Sequence, residues 1–123
     1  MPQFFLDEPV EVGKRISVDA AVEFAEGSVE LTGPARETIA AAADKLLGLK
    51  NRIEVRGHAS EAEVAGGLDG WKLGWERARA VADELVRRDI PEKRLRLASC
   101  SSQEERREPR AEILVVREFV GGE

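Results

Sequence analysis

Apolar and polar positions alternate in short stretches over the first 24 residues: Val10 and Val12, Ile16 and Val18, then Val22 and Phe24, broken by Gly13-Lys14 and Asp19. A period of two sends every second side chain to one face, so this stretch predicts one or two strands, paired as a hairpin if there are two. The period changes after Gly33-Pro34. Proline is tolerated at the first helical position, and Ile39, Ala42, Ala43, Leu46 and Leu47 follow at the spacing of one helix face, which predicts an amphipathic helix ending near Gly48.

Ile53 and Val55 alternate with Arg52, Glu54 and Arg56, the pattern of a half-buried strand that stops at Gly57-His58, and the Glu, Ala and Gly residues beyond it read as a loop. From about Trp71 to Arg88 the helical period returns. Trp75, Ala78, Val81, Ala82, Leu85 and Val86 share one face, with Lys72, Glu76, Arg79, Asp83 and Arg87 largely on the other. Asp89-Ile90-Pro91 ends this helix, because the residue before a proline resists the helical conformation. Leu95 and Leu97 between Arg94 and Arg96 predict a third main strand. The more continuously apolar Ala111 to Val116 predicts a fourth, central to the sheet. The polar run Ser99 to Pro109 reads as a loop with room for a short helix. The order β-α-β-α-β-β places the chain in the α/β class as an α+β sandwich, with two main helices packed on one face of a mixed sheet.

The 123 residues suit one domain with one core, and 42% hydrophobic with 35% charged residues is the composition of a soluble globular chain. No window approaches the roughly 20 apolar residues of a membrane-spanning helix. The opening Met1-Pro2-Gln3-Phe4-Phe5-Leu6-Asp7 has neither the basic nor the long apolar part of a leader. A net charge of -5 argues against a phosphate-backbone binder, so no nucleic acid partner is expected. The basic clusters Arg87-Arg88, Lys93-Arg94-Arg96 and Arg106-Arg107 are interleaved with acids and read as solvated faces. One cysteine cannot form an internal disulfide. With one histidine it falls short of a zinc site, so no metal and no cofactor are expected.

Three stretches carry a family resemblance. Val22-Glu23-Phe24-Ala25-Glu26-Gly27-Ser28-Val29-Glu30-Leu31 resembles a phenylalanine followed by Gly-Ser-Ala-x-Leu. Ile53-Glu54-Val55-Arg56-Gly57-His58-Ala59-Ser60 resembles a strand ending in Gly-His-Thr-Asp. Trp71-Lys72-Leu73-Gly74-Trp75-Glu76-Arg77-Ala78-Arg79-Ala80-Val81 resembles Leu-Ser-x-x-Arg-Ala-x-x-Val. With Ile90-Pro91 and the closing Arg110-Ala111-Glu112-Ile113, they are similar to the OmpA-like domain of outer-membrane protein OmpA, peptidoglycan-associated lipoproteins and the flagellar stator protein MotB. The match covers about residues 20 to 116. It divides the chain into an N-terminal strand or hairpin extension at 1–19, the OmpA-like domain at 20–118 and a tail at 119–123.

The resemblance implies a non-enzymatic module that holds an outer-membrane or flagellar-stator-like envelope protein to peptidoglycan, in the periplasm. Any membrane attachment would come through a segment outside this chain, and a homodimer is compatible with it. In the family, the aspartate of Gly-His-Thr-Asp and the arginine of Leu-Ser-x-x-Arg-Ala grip the zwitterionic end of a diaminopimelate-type stem peptide. A carboxylate suits the ammonium, and a guanidinium fork suits the carboxylate. Carried over, the ligand-binding set is Gly57, His58, Ala59, Ser60, Leu73 and Arg77, with Arg77 taking a carboxylate.

Several positions depart from the pattern: Ser60 stands where the aspartate is expected, Ala59 replaces threonine, Gly70 asparagine and Gly74 serine. Exchanging aspartate for serine trades a charge-assisted bond for a neutral one, a loss of about 1 to 2 kcal/mol. That weakens the grip without abolishing it, and Glu61 and Glu63 in the adjoining loop are the candidates to supply the missing carboxylate. The competing reading is a degenerate scaffold that keeps the fold, has lost the ligand, and serves dimerisation or docking. The other candidates have plainer readings. Arg77 has Glu76, Asp83 and Glu84 nearby for a helical salt bridge, but its place in the pattern favours ligand contact. His58 is expected to pack or hydrogen-bond within its loop, Cys100 to be an inert thiol, and Trp71 and Trp75 to pack against the sheet rather than stack on a sugar.

Overall fold

In the computed structural model, which describes residues 16–100 and 109–119, the chain runs β1 (Ile16–Glu23), α1 (Gly33–Leu47), β2 (Asn51–His58), α2 (Glu61–Ala65), α3 (Gly70–Arg87), a single 3-10 turn (Glu92–Arg94), β3 (Leu95–Cys100) and β4 (Arg110–Phe119). The strands form one mixed sheet in the order β1-β4-β2-β3. β4 is antiparallel to both β1 and β2, and β2 is parallel to β3. The expected order and the inner position of β4 are borne out. β2 is also an inner strand, so it is more deeply buried than its alternating charges suggest, and Glu54 is buried with Ile53 and Val55. The expected strand at Val10 and Val12, the polar run 101–108 and the tail from 120 onward lie outside the described residues.

The register shows where the core sits. Ala20, Ile113, Val55 and Leu97 lie side by side across the four strands, and Val22, Ala111 and Gly57 form a parallel rank beside them. Onto this face α1 brings Ile39, Ala42, Ala43 and Leu46, and α3 brings Ala78, Val81 and Leu85, all members of one buried apolar cluster. α1 lies against β1 and α3 against β2 and β3. A fully buried Leu or Ile side chain stabilises the fold by about 1.5–3 kcal/mol, so these side chains dominate the packing energy. The opposite face carries charge: Arg56 Nε donates to Glu54 Oε2 at 2.7 Å, and Arg110 Nη2 donates to Glu112 Oε2 at 2.7 Å.

The helix ends follow from local chemistry. The Thr32 hydroxyl accepts from Ala35 N–H at 3.1 Å and Pro34 occupies the first turn, as the sequence predicts. Asp69 caps α3 by accepting from Lys72 N–H at 3.1 Å. At the other end of α3, Ile90 N–H donates to Leu85 O and Asp89 N–H to Val86 O. Asp89 takes the left-handed conformation (φ 74°) that usually selects glycine at this position.

Three expectations need correction. The loop expected after Gly57-His58 contains a helical turn, α2, nucleated by Ser60. Trp71 does not pack against the sheet: it is 58% exposed and lies flat on Trp75, with ring centroids 5.9 Å apart and planes 3° from parallel. Val86, assigned to the buried face, is 41% exposed.

Candidate functional site

The site grows from the close approach of α3 to the end of β2. A Cβ on Gly57 would overlap the carbonyl oxygen of Gly74 and lie 2.8 Å from Ala78 N, and a Cβ on Gly74 would lie 2.7 Å from Gly57 O. Backbone therefore meets backbone here, and the side chain one turn beyond Gly74, Arg77, enters the protein rather than solvent. Three further segments converge on it: the turn after β1 (Phe24, Ala25, Gly27, Ser28), the end of β2 (His58) and α2. In α2 the Ser60 hydroxyl accepts from Glu63 N–H at 3.1 Å while Ser60 N–H donates to Glu63 Oε1 at 2.8 Å, a reciprocal capping box. The box turns the Glu63 side chain inward, where it is 1% exposed.

Arg77 and Glu63 then saturate each other. Arg77 Nη1 donates to Glu63 Oε1 at 2.9 Å and Nη2 to Glu63 Oε2 at 2.6 Å, a two-pronged pair whose side chains are both wholly buried. The remaining guanidinium N–H groups go to backbone carbonyls: Nε to Ser28 O (3.0 Å), Nη1 to His58 O (3.0 Å) and Nη2 to Ala25 O (3.3 Å). A guanidinium has five N–H donors, and all five are matched. The Phe24 ring lies beneath, 5.3 Å from Cζ, a cation–π contact. On the other side, Glu63 Oε1 also accepts from Ser60 N–H and Oε2 from Gly27 N–H at 2.7 Å, so each oxygen has two donors. Burial alone would raise the Glu63 carboxyl. The Arg77 hydrogen bonds, those from Gly27 and Ser60, and the Arg77 charge outweigh it and hold the group at about 2.

Of the six residues carried over by resemblance, the structure joins Ser60 and Arg77 on the Glu63 carboxylate, and His58 meets the Arg77 guanidinium through its backbone carbonyl. Gly57 serves the helix approach, Ala59 is fully buried between His58 and Ser60, and Leu73 is half-buried one turn before Arg77. None of the three nearby acids, Glu76, Asp83 or Glu84, pairs with Arg77; Glu84 instead accepts from Arg87 and Arg88. Glu63 supplies a carboxylate, but to Arg77 itself. The sequence held a signal for this: Ser60-Glu61-Ala62-Glu63 is a Ser-x-x-Glu capping box, which predicts a helix start and a glutamate folded back on it.

A second polar cluster lies on the charged face of the sheet. His58 Nε2 is 3.2 Å from Glu112 Oε1, so the ring pairs across the sheet with β4 rather than within its loop. That hydrogen bond, followed by the charges of His58 and Arg110, holds the Glu112 carboxyl at about 2 against the opposing effect of burial. Among the described residues no group of three or more His, Cys, Asp or Glu is placed to hold a metal ion, and no helix is long and apolar enough to cross a membrane.

Comparison with known proteins agrees with the fold. Residues 23–113 match the model of the OmpA family. Among solved structures, the fold is similar to the OmpA-like domain of FopA1 from Francisella tularensis subsp. tularensis SCHU S4, with 18% identity over 90% of this chain and 79% of that one and a TM-score of 0.68. It is similar to the cell wall anchor of the T6SS from Pseudomonas aeruginosa, with 26% identity over 76% and 73% and a TM-score of 0.64. It is also similar to the C-terminal domain of Helicobacter pylori MotB, with 19% identity over 80% and 86% and a TM-score of 0.68. No curated protein sequence matches the chain.

Proposed function

Because the chain belongs to the OmpA family, we propose that it is a non-enzymatic periplasmic domain of the cell envelope whose stem-peptide grip is closed, so that it works as a scaffold for docking or dimerisation. One observation carries this reading: Arg77 is 0% exposed and every one of its N–H donors is taken, two of them by Glu63. An incoming stem-peptide carboxylate finds no free donor on the guanidinium. It must first expel Glu63, and breaking a buried ion pair costs about 3–5 kcal/mol. Ser60 contributes no charge for an ammonium, and its hydroxyl and N–H are committed to the capping box. Val64 on α2, Leu68 in the connection and Trp71 at the start of α3 are exposed and offer apolar surface to a protein partner.

A second reading, direct binding of peptidoglycan, is favoured by the 26% identity to a protein named as a cell wall anchor. Co-sedimentation with purified peptidoglycan sacculi separates the two. The closed-pocket reading expects the domain to stay in the supernatant, and size-exclusion chromatography with light scattering then measures its self-association. Sedimentation of the parent domain that is lost in a folded Arg77→Met variant would overturn it in favour of wall binding.

A further inference from the structure

With Glu63 set aside, the rest of the site is a finished receptor. Two guanidinium N–H groups and the backbone N–H groups of Ser60 and Gly27 converge from three chain segments on one carboxylate, at 2.6 to 2.9 Å. The orientation of Arg77 does not depend on Glu63, because its other three N–H groups are tied to the carbonyls of Ala25, Ser28 and His58 and its face rests on Phe24. The occupant comes from α2, a helix of only five residues. It joins α3 through Gly66 and Gly67, the latter at φ 101°, a conformation open to glycine, and its side chain Val64 is exposed. The guanidinium of the receptor is thus set by the long helix α3, and the group that fills the seat hangs on a helix of a little over one turn.

We infer that Glu63 is an internal pseudo-ligand: it closes a latent carboxylate-binding site, which takes a free carboxylate group once the Glu63 side chain is gone. This deepens the closed-pocket reading and rests on it. The chemical class is fixed by the donors: a planar anion with two oxygens, small enough to enter where a glutamate carboxyl sits, such as an alkyl carboxylate or the carboxylate end of an amino acid. Neutral amides match it poorly, because their NH₂ would face the guanidinium N–H groups.

The test is chemical rescue. Glu63→Ala empties the seat, and the variant is unfolded with urea at pH 7 in sodium acetate and in sodium chloride of equal ionic strength, beside the parent and the Glu63→Ala/Arg77→Met double variant. A ligand that binds only the folded state multiplies the folded-to-unfolded ratio by one plus its concentration over Kd. For an affinity of about 10 mM, 100 mM acetate raises the ratio about tenfold. The expected result is a saturable acetate effect of this kind in Glu63→Ala alone, with the Gly27 and Ser60 amide NMR signals moving along the same titration. General effects of acetate on apolar burial act equally on the double variant and are subtracted by it. If Glu63→Ala is unfolded in chloride, folding in acetate is the same positive result. Failure to fold in either salt, no gain of acetate over chloride, or an equal response in the double variant overturns the inference.

The outcome is separable from the sedimentation experiment. A parent that ignores sacculi with no acetate rescue leaves the closed-pocket function standing and removes the latent seat. Rescue in a protein whose parent form binds sacculi does the reverse.

Discussion

The Glu63 carboxyl, held at about 2 against an ordinary value of 4.5, makes a quantitative claim about stability. A carboxyl whose folded-state value lies below its unfolded one stabilises the fold above the unfolded value, and the contribution drains away as pH falls through the folded one. The window here is about pH 4.5 down to 2. At about 1.4 kcal/mol per pH unit the contribution at neutral pH is roughly 3 kcal/mol, in line with the cost of breaking a buried ion pair. Glu63→Gln removes the charge and keeps the volume. Urea titrations followed by far-UV circular dichroism from pH 7 to pH 2 should therefore find the variant less stable by roughly 3 kcal/mol at pH 7, with the gap narrowing below pH 4.5 and closing near pH 2. Glu112, also held at about 2, remains in both proteins and gives the variant a shallower acid limb of its own. A gap that stays constant from pH 7 to pH 2 would refute the buried ion pair as its cause and leave a packing defect instead.

Two further substitutions probe the frame around the pair. Gly57→Ala places a methyl group against the Gly74 carbonyl and 2.8 Å from Ala78 N, both in the backbone of α3, which cannot yield as a side chain would. A loss of about 3 kcal/mol or more is expected, read as a lowered urea midpoint. Asp89→Gly relieves the left-handed conformation of a non-glycine residue at the end of α3. It should raise stability by about 0.5–1 kcal/mol, seen as an upward shift in Tm, while leaving the sedimentation behaviour unchanged.

Elements with several turns or several alternations were legible in the sequence because a period needs repeats to be seen. Ile39 to Leu47 and Trp75 to Leu85 mark two helices, and the Leu95/Leu97 pair and Ala111 to Val116 mark two strands, all where the structure has them. α2 is five residues long and cannot display a period of 3.6, so only its Ser60-Glu63 cap betrays it. Periodicity also says which face of a helix is apolar, not how far the sheet extends beneath it. Trp71 shares a face with Trp75 yet lies in the first turn of α3, where Ser99 near the end of β3 reaches only its backbone carbonyl, and the ring is left outside. Arg77 stood out through the motif around it. Its partner did not, because a pair separated by fourteen residues across two elements is a tertiary fact.

Ser60 and Glu63 answer one constraint rather than two. The interior beneath α2 holds one guanidinium, and Glu63 neutralises it with all four acceptor positions filled. An acidic side chain at the buried Ser60 position would find the Glu63 N–H as a donor but no cation left to balance it, and an uncompensated charge in such a place is costly. A neutral hydroxyl gives the same cap to α2 without adding charge. A neutral residue at position 60 and a glutamate three residues later therefore satisfy a single constraint, one buried negative charge for one buried positive charge. The chain meets that constraint from within, with a carboxylate of its own.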